Sequence, residues 1–252
     1  MNILLTNDDG YESSGLMLLC EGLSSCGHNV YVVAPSAQRS AFSHSVNLHK
    51  ELNIRKLDEY CGAKIAYISA GTPADCVKFA LSALDVKFDL IISGPNNGTN
   101  AGFSVLYSGT VGAAEEGAVN GMPAIALSRL GWYPDGGSFA SVVEYFVGNL
   151  NALFDACICG TLLNINVPDL PMEQIKGVKV CPLNTERIFC DSFTKVDGIE
   201  DMWSVKGEWL GIDESKDNDI TFNNRGYITV TPILLDRTNY AVLEKLKGLV
   251  KC

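Results

Sequence analysis

Short apolar runs alternate along the chain with stretches whose apolar positions recur at helical spacing. Ile3, Leu4 and Leu5 predict a buried strand over Asn2–Thr6. Leu16, Leu19, Cys20 and Leu23 then fall on one helical face, with Ser13 or Ser14 available as N-cap and Gly27 as the C′ residue. Val30-Tyr-Val-Val33 predicts a second strand, lying beside the first in a doubly wound topology. Residues 46–58 alternate loosely, which suggests a hairpin or edge strands, and residues 65–69 predict another strand. Thr72 as N-cap and Pro73 at the first helical position open a helix to about Leu84. Residues 88–92, 122–128 and 161–167 predict further strands, the last closed by Pro168. A helix opens after Ser108 and runs to Asn120, and residues 139–154 form an amphipathic one with Val142, Tyr145, Phe146 and Leu150 on one face. This alternation predicts an α/β fold whose sheet is covered on both faces.

The pattern changes after Pro168. Residues 178–183, 188–196 and 203–210 read as strand pieces of projecting hairpins, and Phe189, Phe193, Trp203 and Trp209 on them suggest subunit contacts. Residues 217–224 predict a short helix, 226–232 a late strand and 240–250 a closing helix. The chain is expected to form one domain over 1–252, with its core in 1–168 and an oligomerising extension in 169–252.

Composition narrows the function. At 252 residues and 47% hydrophobic, the chain can bury a sizeable core. A formal charge of −10 argues against a nucleic-acid duplex as partner, and a phosphate would need local donors or a metal. Nine scattered cysteines show no zinc spacing. Cys157-Ile-Cys159 is their one close pair, and Cys20, Cys76 and Cys181 sit in apolar stretches. With no basic, apolar leader pattern at Met1, the cysteines point to a reducing, cytoplasmic setting. No apolar run is long enough to span a bilayer, so no membrane partner is expected.

The candidate chemistry lies where strands end. Asn7-Asp8-Asp9-Gly10 follows the first strand, and two adjacent carboxylates there repel one another unless a cation joins them. Oxygen donors without a cluster of His or Cys favour magnesium, manganese or calcium over zinc. The second strand leads to Arg39, Ser40, Ser43 and His44, and the strand at 88–92 to Asn96 and Asn97. Ser108-Gly109-Thr110 at a helix start offers hydroxyls and free N–H groups to an anion. Together these loops suit metal-assisted phosphate ester hydrolysis. Neither GxxxxGK[ST] nor GxGxxG is present.

Several motifs in register resemble the SurE survival-protein nucleotidases over nearly the whole chain. They are Ile3-Leu-Leu-Thr-Asn-Asp-Asp-Gly-Tyr11, Ala34-Pro-Ser-Ala-Gln-Arg-Ser40, Ser43-His-Ser45 and Gly71-Thr-Pro-Ala-Asp-Cys-Val77. Ser93-Gly-Pro-Asn-Asn-Gly98, Tyr107-Ser-Gly-Thr-Val-Gly-Ala-Ala114, Asn164-Ile-Asn-Val-Pro168 and Gly226-Tyr-Ile-Thr-Val-Thr-Pro232 complete the set. The resemblance implies a Rossmann-like three-layer αβα domain with a mostly parallel sheet. It implies a metal-dependent phosphatase acting on nucleoside monophosphates, with one magnesium or manganese ion per subunit. The implied ligands are Asp8, Asp9, Ser40 and Asn96, with catalytic roles for Asp8, Asp9 and Asn96. Ser108, Gly109, Thr110 and Asn97 would hold the phosphate, and Arg39, Ser43 and His44 are candidate substrate contacts. A homodimer or homotetramer with exchanged C-terminal elements is implied as well. The chain departs from the pattern at Ser36, where many relatives carry an acid, and at Pro95-Asn96-Asn97, where Ile-Asn and a small residue are usual. Attack by water and attack by a carboxylate to give an aspartyl-phosphate both remain open. A nucleoside hydrolase with an Asp-held metal, and a module that binds nucleotide unchanged, are the rival readings.

Overall fold

A computed structural model describes residues 1–131 and 137–250. Among these, nine strands form one sheet in the order β3-β4-β2-β1-β5-β6-β7-β11-β8, and β9 and β10 stand apart as a hairpin. The strands are β1 (Asn2–Thr6), β2 (Asn29–Pro35), β3 (Ile54–Leu57), β4 (Ile65–Ser69), β5 (Leu90–Asn97) and β6 (Ala124–Arg129). They continue as β7 (Thr161–Val167), β8 (Val178–Val180), β9 (Phe189–Lys195), β10 (Trp203–Trp209) and β11 (Ile228–Leu234). The helices are α1 (Ser14–Ser25), α2 (Pro73–Ala83), α3 (Gly109–Val119), α4 (Ala140–Asp155), α5 (Asp219–Asn224) and α6 (Tyr240–Leu249).

The run from β4 through β7 is parallel, and β1 sits beside β2 as expected. Alternation along β1 sets up the three layers. Ile3 and Leu5 pack with Leu16 and Leu19 of α1 and Phe146 of α4 on one face. Leu4 packs with Cys76 and Val77 of α2 and Ala113 of α3 on the other. Such two-sided burial is why these strands read as continuous apolar runs. Local signals end the helices where the sequence says they should. Ser13 caps α1 through its side chain, and Gly27 follows it with φ +82°. Thr72 and Asp75 form a reciprocal capping box at the start of α2.

Three expectations need correction. Residues 46–53 form no strand, because the backbone and side chain of Asn47 donate to the Asp75 carboxylate at 2.9 and 2.6 Å. Only β3 pairs there, antiparallel to β4. β5 runs on to Asn97 past a register shift between Ser93 and Asn96, so both asparagines pair with β6. Gly94 permits this, since a Cβ on it would strike the Leu127 carbonyl. β8 belongs to the main sheet, parallel to β11, and not to a projecting hairpin. It is short because Pro182, just beyond it, brings no N–H to the ladder. The sheet is therefore incomplete at Pro168: β11 inserts antiparallel to β7 and β8 adds an edge. The last helix, α6, forms where expected, at Tyr240–Leu249, and has no buried residue. Among the described residues no helix is long and apolar enough to cross a membrane.

Candidate active site

The carboxyl ends of β1, β2 and β5 and the start of α3 meet, held by hydrogen bonds between the expected loops. Asn7 shapes the first of these. Its side chain accepts from Gly10 N–H at 3.2 Å and donates to the Gly10 carbonyl and the Ser13 hydroxyl, both at 2.9 Å. This turns Asp8 and Asp9 out of the strand. Asp8 is 3% exposed. Its Oδ1 accepts the Thr110 hydroxyl at 2.6 Å, and its backbone carbonyl accepts Arg39 N–H at 2.7 Å. Asp9 accepts Asn97 N–H at 2.8 Å. Two neighbouring acids are thus tied to two different elements.

Gly109 makes the closest approach. A Cβ there would lie 2.9 Å from Asp8 Cβ and 3.0 Å from its Oδ2, so the first residue of α3 has to be glycine for the carboxylate to reach the helix end. Burial, followed by the charge on Asp9, pushes the Asp8 carboxyl up to about 6 while the Thr110 hydrogen bond pulls it down. Burial also raises Asp9, opposed by the Asn97 N–H and the Arg129 charge. Ser108 is the N-cap of α3 and accepts Val111 N–H at 3.0 Å. The Thr110 O–H is therefore given to Asp8, whereas Ser108 only accepts and keeps its own O–H to donate; that proton, the first-turn N–H groups and the helix dipole are what α3 offers to an anion.

Ser40 is exposed beside Arg39. Asn96 is half-buried, and its amide nitrogen donates to the Gly98 carbonyl at 2.7 Å, which leaves the amide oxygen to offer a cation. The candidate substrate contacts also make bonds within the protein. Arg39 donates to the Ala70 carbonyl at 2.9 Å and stacks over Phe42. Ser43 donates to the Leu106 carbonyl at 2.7 Å. His44 sits between Glu115 and Glu116 of α3, 3.3 and 2.8 Å away. All three fix the loop after β2 against its neighbours.

Sequence reasoning missed Arg129. This arginine, 1% exposed at the end of β6, donates to Asn97 Oδ1 at 2.5 Å and to the Ser138 carbonyl at 2.9 Å, and lies over the Phe139 ring. A charge ending the apolar run Ala-Ile-Ala-Leu-Ser-Arg was the available signal. Also missed was a buried amide network behind the site. Asn166 Oδ1 accepts the Thr99 hydroxyl and Asn100 N–H at 2.9 Å each, and Asn164 donates to the Asn100 carbonyl at 2.7 Å. Two asparagines at period two on a buried strand pointed to it.

The arrangement can now be set beside known proteins. The family model described as Survival protein SurE matches residues 3–189. The chain belongs to the SurE family. It is 40% identical over 254 residues to a protein named 5'-nucleotidase SurE from Caldanaerobacter subterraneus subsp. tengcongensis, covering 98% of this chain and 96% of the relative. It is also 40% identical over 252 residues to one of the same name from Moorella thermoacetica, covering 98% and 95%. The crystal structure of a SurE protein from Aquifex aeolicus superimposes with a TM-score of 0.85 at 35% identity, covering 99% of each chain. The nine-stranded sheet and its separate hairpin are therefore a SurE fold, and Asp8 and Asp9 lie in the part of the chain that the SurE family model spans.

Proposed function

We propose that this SurE-family chain is a metal-dependent phosphomonoesterase that releases phosphate from nucleoside 5'-monophosphates. The observation carrying the proposal is the Asp8–Thr110 hydrogen bond, which sets a buried carboxylate on the N-terminus of a helix. On this reading the cation and the phosphate would meet at that contact. The naming of its relatives as 5'-nucleotidases supports the substrate class. Activity on 3'-monophosphates and short polyphosphate belongs to the same proposal as a secondary capacity, since the phosphate, and not the sugar, meets these groups.

The donor chemistry fits a hard dication. Among the described residues no three His, Cys, Asp or Glu side chains gather as a metal group, so a site here draws on Asp8 and Asp9 together with neutral oxygen donors. Asp8 and Asp9, with the Asn96 amide oxygen and the Ser40 hydroxyl, are oxygen donors of the kind magnesium and manganese accept. Bound there, such an ion supplies charge neutralisation at the phosphoryl group and acidifies a water. The protein's own part is positional. Thr110 and Asn97 hold the two carboxylates apart and oriented, and the first turn of α3 receives phosphate oxygens on its N–H groups. Asp8 or Asp9 orients the attacking group. The eight described cysteines are free thiols, which suits the cytoplasmic location included in the proposal, as is assembly into a homo-oligomer.

The test is phosphate release from a panel of nucleoside monophosphates, with and without chelator. Activity is expected to vanish in chelator and return with magnesium or manganese. Full activity in excess chelator rejects the metal. Free base in place of phosphate makes the chain a nucleoside hydrolase.

A further inference from the structure

One strand away from the carboxylates, the same edge of the sheet holds a second hollow. A cavity of about 300 Å³ lies between the chain leaving β5 and the base of the β9–β10 hairpin. Ala101, Leu130, Ile188 and Ile220 give it apolar walls, and Phe189 and Trp209 flank it. These two rings stand edge to face, 5.1 Å between centroids, at the register pair where the hairpin leaves the body. In the single chain each is about half exposed (52%), with ring surface lining the hollow.

Two short lengths of chain join this hollow to the carboxylates. Thr99 lines it just beyond Asn97, whose N–H binds Asp9. Leu130 lines it immediately after Arg129, whose guanidinium binds the Asn97 side chain. The walls are held in place by bonds already made. The Thr99 hydroxyl donates to Asn166, Gly102 N–H donates to Asp219 at 2.8 Å, and the Asn223 amide donates to the Asn166 and Tyr227 carbonyls. What remains facing the space is mostly apolar and aromatic. Such a slot has no charged side chain to grip a phosphate and suits a flat ring with a π face. Its volume is at the small end for ligand cavities, matching a ring system and not a whole nucleotide.

We propose that this cavity is the nucleobase subsite, where the base of the substrate lies against Trp209 and Phe189 while its phosphate is held at Asp8, Asp9 and the start of α3. The proposal rests on the nucleotidase reading above and names what that site selects. The Asn224 side chain, exposed at the rim, offers an amide to the base edge. Stacking dominates the contact, so purine nucleotides bind more tightly than pyrimidine ones. A wider groove of about 730 Å³ lies alongside, lined by Phe103, Leu106 and Tyr107 and sharing Phe189 but not Trp209. It provides the internal comparison.

The experiment measures hydrolysis of adenosine 5'-monophosphate and of ribose 5-phosphate, with calorimetric binding of adenosine, using the full chain. Trp209→Ala is expected to raise KM for the nucleotide about tenfold more than KM for ribose 5-phosphate, the effect of removing one stacking surface. Trp209→Phe restores most of the loss. Leu130→Trp, which fills the slot from its opposite wall, produces the same selective defect without disturbing the hairpin. Trp203→Ala, near the hairpin's far end, leaves the ratio of the two KM values unchanged. Adenosine affinity falls in Trp209→Ala by the same factor, a reading independent of phosphate release. Equal changes for both substrates in Trp209→Ala and Leu130→Trp overturn the proposal. So does a selective defect in Tyr107→Ala but not in Trp209→Ala, which moves the base to the neighbouring groove. Adenosine binding that depends on Trp209, in a chain that releases no phosphate, refutes the nucleotidase reading and leaves the subsite standing.

Discussion

Thr110 has two duties, as a buried residue of α3 and as the donor that orients Asp8, and its hydroxyl is the smallest group on which the site depends. Thr110→Val keeps the shape and removes the donor, leaving a carboxylate that is 3% exposed short of a partner. Loss of a hydrogen bond to a charged group costs about 1.5–3 kcal/mol. Urea unfolding is expected to show that loss, with kcat reduced more than KM is raised; unchanged stability would mean that Asp8 finds another donor. His44 gives a residue-scale effect of pH. Hydrogen bonds that it donates to Glu115, then Glu116, raise its pKa above 6.5 against the opposing effect of burial. Lys78 and Arg237 face the same two glutamates, at 3.2 and 2.8 Å. Because the folded value is raised, the His44 contribution is fully present below about 6.5 and is lost as pH rises through the folded value. Unfolding midpoints from pH 5 to 9, compared with His44→Gln, check this: the difference should shrink on the alkaline side. A constant difference would assign His44 a packing role alone.

Between elements, the contact that matters most to the site is that of the loop after β2 with α3. A Cβ on Gly112 would lie 2.6 Å from the Ser43 carbonyl oxygen and 2.8 Å from His44 Cα, so the loop carrying Ser40 rests directly on the helix. Gly112→Ala is expected to push that loop outward. Overpacking of this kind costs about 1–3 kcal/mol, and metal affinity, measured by calorimetry, should weaken along with the thermal midpoint. Unaltered metal affinity in a destabilised variant would separate the loop from the ligand set. The elements also show what was legible in advance. β1, β4 and β7 match their sequence readings residue for residue because their apolar runs are largely buried and end just before Asn7, Ala70-Gly71 and Pro168. The starts of α1, α2 and α3 were legible because Ser13, Thr72 and Ser108 cap locally. β5 and β8 were misread because their limits depend on distant partners: β6 accepts Asn96 and Asn97, and β11 captures Val178–Val180. Similarly, residue type placed Asp8, Asp9 and Thr110 near one another, but the bonds that Arg39, Ser43 and His44 make to Ala70, Leu106 and two glutamates far along the chain were not legible.

At the scale of the whole molecule, two apolar surfaces lie outside the main body. Phe193, Trp203 and Val205 on the β9–β10 hairpin are 65%, 55% and 58% exposed, far more than the core strands allow. A two-stranded hairpin of this kind is marginal by itself in water. α6 presents Val242, Leu246 and Leu249 at 47%, 46% and 66% exposure, and no residue of that helix is buried. One such surface is enough for a two-fold dimer; two on separate elements permit a dimer of dimers. The expected state is therefore a homodimer or homotetramer in which hairpin and helix are covered by other copies. Sedimentation of the intact chain at micromolar concentration should show that state. Replacing residues 189–209 with a short Gly/Ser linker, and separately removing residues 240–250, should each lower the order by one interface. An intact chain that sediments as a monomer removes the argument, and variants that assemble as well as the intact chain move the contacts to another face. The nucleobase proposal is also affected, since Trp209 stands at the root of the hairpin: the linker variant, even where it still releases phosphate, should lose its preference for nucleotides over ribose 5-phosphate.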